Sequence, residues 1–188
     1  MHPLIAYIIL NLSQWHNTSG SPEKMFLNTD FLCKFGAILK KIDDGHGDEI
    51  IDLAFKFIEK IQDPFWRVKA LTSAYVTLSN YGQPTKKILN KAILISEQID
   101  DPILKAESLS QMASAISKDK DLSLKNAKQA VNIAESIREQ YAKQLAIFSV
   151  AKIIAPISPE LALTILKKAD GEIDKDNQLS KDQAISAI

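Results

Sequence analysis

Residues able to do chemistry are few in this chain and do not gather. His2, His16 and His46 are scattered over two turns and a terminus, so they are not read as a zinc set. The run Asp43-Asp44-Gly45-His46-Gly47-Asp48-Glu49 collects carboxylates around a histidine. It lacks the alternating pattern and closing glutamate of a calcium-binding loop and reads as a solvated turn, with Asp48 able to cap the next helix. Cys33 is the one cysteine, close to Phe31 and Phe35, and is expected to be a buried, inert thiol. The six glycines form neither GxGxxG nor GxxxxGK, so no phosphate-cradling loop is expected. Glu97 and Glu135 suit an exposed helical face better than acid–base work. The expectation is no enzyme, no cofactor and no metal. Trp66 beside Phe65 is the pair with most to offer. Either ring can pack on the loop before it, or Trp66 can face a groove and stack on a partner.

The elements that would position these residues repeat. Offsetting the chain by thirty-eight residues brings Ile51, Leu89 and Ala127 into one column (89 − 51 = 127 − 89 = 38). Ala54, Ala92 and Ala130 make the next, followed by Phe57, Ile95 and Ile133, then Ile61, Ile99 and Ile137. In the second half of each unit Ala70, Ser108 and Ala146 align, as do Leu71, Leu109 and Ile147. Ala74, Met112 and Val150 follow, then Tyr75, Ala113 and Ala151, then Leu78, Ile116 and Ile154. Within a unit these positions step by three or four residues, one face of a helix. Each unit is therefore two amphipathic helices, and such a hairpin buries its apolar faces only against a neighbour. The alanine column lets helix backbones approach closely. Ala92→Leu is expected to over-pack that contact, at a cost of roughly 1–3 kcal/mol.

Punctuation fits the same reading. Asp63-Pro64 and Asp100-Asp101-Pro102 each end one helix and start the next, with Asp as cap and Pro in the first turn. The Asp-Pro pair is missing near Arg138-Glu139-Gln140, where register still asks for a turn. Ser158 is the expected cap before Pro159 and Glu160. Residues 1–27 lie outside the repeat as an N-terminal arm. Within it, Met1–Lys24 is loosely held, or packs over the first repeat, or precedes a true start at Met25. Residues 28–188 form about four helix pairs, the first opening near Asn28 with Asp30 at its start. The last pair is incomplete, interrupted by Gly171, and carries an apolar pattern of Ala184, Ile185, Ala187 and Ile188.

Lys plus Arg and Asp plus Glu are both 23, so net charge gives no case for nucleic acid or an anionic membrane. The apolar run Leu4–Leu12 is too short to span a bilayer. No Lys or Arg precedes it, so a secretory signal is not expected. With one cysteine, no internal disulfide can form, and a cytoplasmic setting fits.

Paired helices of about fourteen residues, small residues at fixed columns and proline between units make the chain similar to a divergent tetratricopeptide-like (TPR-like) repeat protein. Leu71, Ala74 and Leu78 in a first helix, Ala92 and Ile99 in a second and Pro102 after it carry the resemblance. The period of thirty-eight exceeds that family's thirty-four. The resemblance implies an all-α, right-handed solenoid of stacked antiparallel hairpins, and a concave groove lined by first helices that binds a peptide or protein segment. Carried over by register, Trp66, Lys69, Ser73 and Thr77 would line it, then Leu104, Glu107, Gln111 and Ser114, then Ala142, Leu145, Ser149 and Lys152. The expected function is a non-catalytic protein-interaction scaffold. The alternatives are self-association into a homo-oligomer through terminal repeats and, behind it, small-ligand or RNA binding.

Overall fold

The computed structural model describes residues 21–42, 45–83, 85–169, 182 and 184–186. They form eight α-helices and no strand: α1 Pro22–Lys41, α2 Gly47–Lys60, α3 Pro64–Asn80, α4 Lys86–Ser96, α5 Pro102–Ala115, α6 Lys120–Ser136, α7 Gln140–Ile154 and α8 Pro159–Lys168. The protein is all-α over these residues. None of the helices is long and apolar enough to cross a membrane.

The chain resolves into two compact units, one ending at Leu89 and one starting at Asn90. In the first, α1 packs along both α2 and α3. In the second, α5 packs along α6 and α7, and α7 also packs on α6 and α8. Both units therefore pair a helix with its sequence neighbour and with the next helix but one.

The apolar columns supply the interiors. Ala54, Ala92 and Ala130 are each fully buried, as are Ala74, Met112 and Val150. Ala92 is fully buried, so a leucine there has to be accommodated in the interior, and a thermal melt reads the expected cost of Ala92→Leu. A melt unchanged from the parent would remove the close contact at that column. Tyr75, Ile133 and Ile137 depart from the pattern and are only half-buried. Ile137 lies just past the last turn of α6 in extended geometry, as Ile61 does past α2, yet only Ile61 is fully buried.

Helix starts follow the Asp-Pro signals. Asp63 accepts from Trp66 N–H at 3.0 Å, and Asp101 accepts from Ile103 and Leu104 N–H at 2.8 and 3.2 Å. Glu139 replaces the missing pair by accepting from Tyr141 N–H at 3.0 Å and from Ala142 N–H. Three boundaries differ from expectation. α1 begins at Pro22 with Ser21 as its cap, six residues ahead of Asn28, so Asp30 lies inside the helix. Asp48 does not cap α2; it sits in the first turn and accepts from Lys40 Nζ at 2.7 Å. Ser158 occupies the cap position of α8 but makes no side-chain bond there. The N-terminal arm before Ser21, Gly171, Ala187 and Ile188 lie outside the described residues.

Candidate functional site

Trp66, Lys69, Ser73 and Thr77 recur at helical spacing and share one face of α3. α1 lies against it and runs the same way, because its contacts ascend in step. Phe26 meets Trp66, with ring centroids 5.9 Å apart. One turn on, Ser73 Oγ donates to Asp30 Oδ1 in a very short hydrogen bond. At the far end Lys40 Nζ donates to Gln83 Oε1 at 2.9 Å, and Lys41 Nζ lies 5.9 Å from the Tyr81 ring centroid. The result is a seam with Phe26 and Trp66 at one end and Lys40, Lys41 and Tyr81 at the other.

At the ring end Phe65 is buried and meets Trp66 edge-on at 5.4 Å. Phe65 thus packs inward while Trp66 stays half-exposed beside Phe26. Lys69 Nζ lies over all three rings, 4.9 Å from Trp66, 5.5 Å from Phe65 and 5.7 Å from Phe26. Those distances are within cation–π range. No carboxylate pairs with Lys69 among the described residues. Asp30 is engaged elsewhere, by Ser73 and by Lys34 Nζ at 2.7 Å. Thr77 is buried and adds nothing to the accessible part of the face.

The remaining expected groove residues belong to the second unit. On α5, Leu104 is half-buried, Gln111 Nε2 donates to Glu107 Oε1 at 2.8 Å, and Ser114 is exposed. On α7, Ala142, Leu145 and Ser149 are half-buried and Lys152 is exposed. No hydrogen bond or ion pair joins these two rows among the described residues. The first unit therefore holds the denser chemistry. Phe26 falls ahead of the repeat's expected opening at Asn28, and Asp30 reads from sequence as a helix-start residue and not as a partner of α3. The spacing of Phe26, Asp30, Cys33 and Ala37, by four, three and four, is the signal that marks them as one helical face.

Cys33 is 1% exposed on that face of α1. Burial, and secondarily the Asp30 charge, pushes its thiol up to about 12 from the usual 9.0. At neutral pH the folded chain should resist thiol reagents and react only as it opens. Because the thiol is raised in the folded state, its contribution to stability is complete below about pH 9 and falls as pH rises from there towards 12. Cys33→Ala should flatten that decline in a series of alkaline melts; an identical decline in both proteins would assign it to another group.

His46 Nδ1 lies 3.2 Å from Glu49 Oε2, a pair at i, i+3 that the turn reading passed over. No three His, Cys, Asp or Glu side chains converge among the described residues. Asp43, Asp44, His2 and His16 lie outside them. Compared with family models, with curated proteins and with solved structures, the chain matches none.

Proposed function

We propose that this chain is a non-catalytic interaction scaffold, a divergent tetratricopeptide-like stack of helix hairpins whose first-helix face holds a segment of another protein. The observation that carries the reading is the half-exposed Trp66 with Phe26 beside it and the carboxylate-free Lys69 laid over the rings. Aromatic anchors near a desolvated charge are where interfaces concentrate binding free energy. A bound segment would place an apolar side chain on Trp66 and a carboxylate beside Lys69. Within each unit the first helices pack side by side, α1 on α3 and α5 on α7, which supports the hairpin reading of that unit. The proposed setting is the cytoplasm, with no nucleic-acid or membrane partner.

The test is selection of displayed random peptides on the Trp15→Phe protein, which leaves Trp66 as the only indole. Selected peptides should shift Trp66 emission and lose at least about tenfold in affinity for Trp66→Ala, the loss typical of an aromatic anchor. Peptides that bind Trp66→Ala as tightly would overturn the reading.

Self-association is a second reading, favoured by a different observation. Leu27, Phe31 and Ile38 on α1, with Ile42 just past its end, are all exposed and fall at helical spacing on one face. Light scattering decides it: a mass that rises with concentration and returns to monomer in Phe31→Glu supports this face as the contact. A monomer throughout disposes of it.

A further inference from the structure

We propose that two copies of this chain join through α1, the two helices lying side by side, parallel and in register. The proposal rests on the self-association reading of this face and adds the geometry of the contact.

The outward residues of α1 follow a heptad. Asn28, Phe35 and Ile42 are seven apart (35 − 28 = 42 − 35 = 7). Phe31 and Ile38 fall between them, each three residues on (31 − 28 = 38 − 35 = 3). That is a seam of a and d positions, the period at which two helices stay in contact. Phe31, Ile38 and Ile42 are exposed and Asn28 and Phe35 half-exposed, while Thr29, Leu32, Cys33, Gly36, Ala37 and Leu39 are buried. The Phe31 and Phe35 rings lie parallel, 5.9 Å apart, and form one ridge. Free helices need about three or four such heptads to hold each other. α1 is already held by α2 and α3, so its pairing carries no further cost of ordering a helix.

The repeat indicates what kind of element fits. Moved by thirty-eight residues, Asn28, Phe31, Phe35 and Ile42 fall on Trp66, Lys69, Ser73 and Asn80 (66 − 28 = 80 − 42 = 38). Trp66 and Ser73 are where α3 meets α1, a helix that runs the same way. α1 offers that column in apolar form.

The area suits a second copy. Leu27, Phe31, Ile38 and Ile42 are each about half exposed or more. Side chains of this size then present on the order of 100 Å² each. Two copies together would remove about 800 Å² of apolar surface from water, against roughly 900 Å² in a standard protein interface.

Two features choose the parallel arrangement. In a parallel pair Asn28 meets its own copy across the axis, and a lone Asn at such a position fixes register. Reversed, with Phe31 against Phe35, Asn28 would lie against Ile38 (31 + 35 = 28 + 38 = 66) and its amide would lack a partner there. Lys34, held by Asp30 at 2.7 Å, and Lys41 lie one residue before Phe35 and Ile42, on one edge of the seam. Reversal sets that edge against itself, whereas the parallel pair keeps the two lysine edges apart. Parallel pairing also brings both copies of Trp66 to the same end of the dimer.

The whole chain is followed by light scattering and, in the Cys33→Ala background, by disulfide capture. Light scattering should give twice the chain mass, and one chain mass in Phe31→Glu. Ile38→Cys should join to its own copy at least about tenfold faster than Lys125→Cys, an exposed site on α6, because pairing raises the local thiol concentration. Asn28→Cys mixed with Ile38→Cys should give each variant joined to its own kind. A product joining the two variants in place of these would overturn the parallel register and keep the self-association reading. A dimer in which Ile38→Cys joins no faster than Lys125→Cys would overturn the pairing through α1. A monomer at every concentration would overturn both the pairing and the reading it rests on. If Ile8→Glu then moves the amide signals of Phe31 and Ile38, the face belongs to the run Leu4–Leu12 instead.

Discussion

Gly47→Ala should lower the stability of the first unit by roughly 3 kcal/mol or more, among the largest single-methyl effects available in this fold. A Cβ built at Gly47 meets Lys40 N at 2.6 Å and Gly36 O at 2.8 Å, and also strikes Lys40 Cγ. Two of these are backbone atoms, so rotating a side chain gives no relief. The approach is mutual: a Cβ at Gly36 meets Gly47 O at 2.9 Å and Ile51 Cγ1 at 2.8 Å. α1 and α2 thus touch backbone to backbone at a pair of glycines, and the two helices must part to admit either methyl group. For a unit of this size the loss corresponds to a fall in Tm of roughly 12 °C or more. Gly45→Ala is the control, since nothing lies within 4 Å of a Cβ there. Thermal melts placing Gly47→Ala within a degree or two of Gly45→Ala would remove the close crossing.

Phe148→Ala should cost the second unit about 3–5 kcal/mol. Phe148 is 2% exposed and leads the fully buried side chains in volume. It lies on α7, which packs against α5, α6 and α8 together, so three neighbours would have to move to fill the void. Phe31→Ala removes the same ring from a site that is 53% exposed and should cost far less. Denaturant unfolding of the two variants reads the difference directly. Equal midpoints would mean that the second unit has no interior at Phe148.

Most of the helices were legible in the sequence, and the reasons differ by element. Asp63-Pro64 and Asp101-Pro102 state a boundary in local terms, through a capping carboxylate and a ring that cannot continue the previous helix. The apolar columns state which faces are buried, since they record the helical period. What escaped was set by contacts distant in sequence. Gly47 reads locally as part of a solvated turn, yet its missing side chain serves the crossing with α1. Asp48 reads locally as a cap, yet Lys40 on the preceding helix draws its carboxylate away. The candidate site divides in the same way. Trp66, Lys69 and Ser73 could be placed on one face from spacing alone. Their partners Phe26 and Asp30 stand forty and forty-three residues away, beyond any local pattern.

The helix starts also rank the molecule by how readily it opens. Asp101 and Glu139 each hold two amide groups, Asp63 and Asp119 one, and Ser158 none through its side chain. The opening turns of α8 and of α2, where His46 holds none through its side chain either, have therefore the least to lose on fraying. Deuterium from solvent should enter at these two turns before it reaches the starts of α5 or α7, and a protease sampling brief openings would cut there ahead of those better-capped starts.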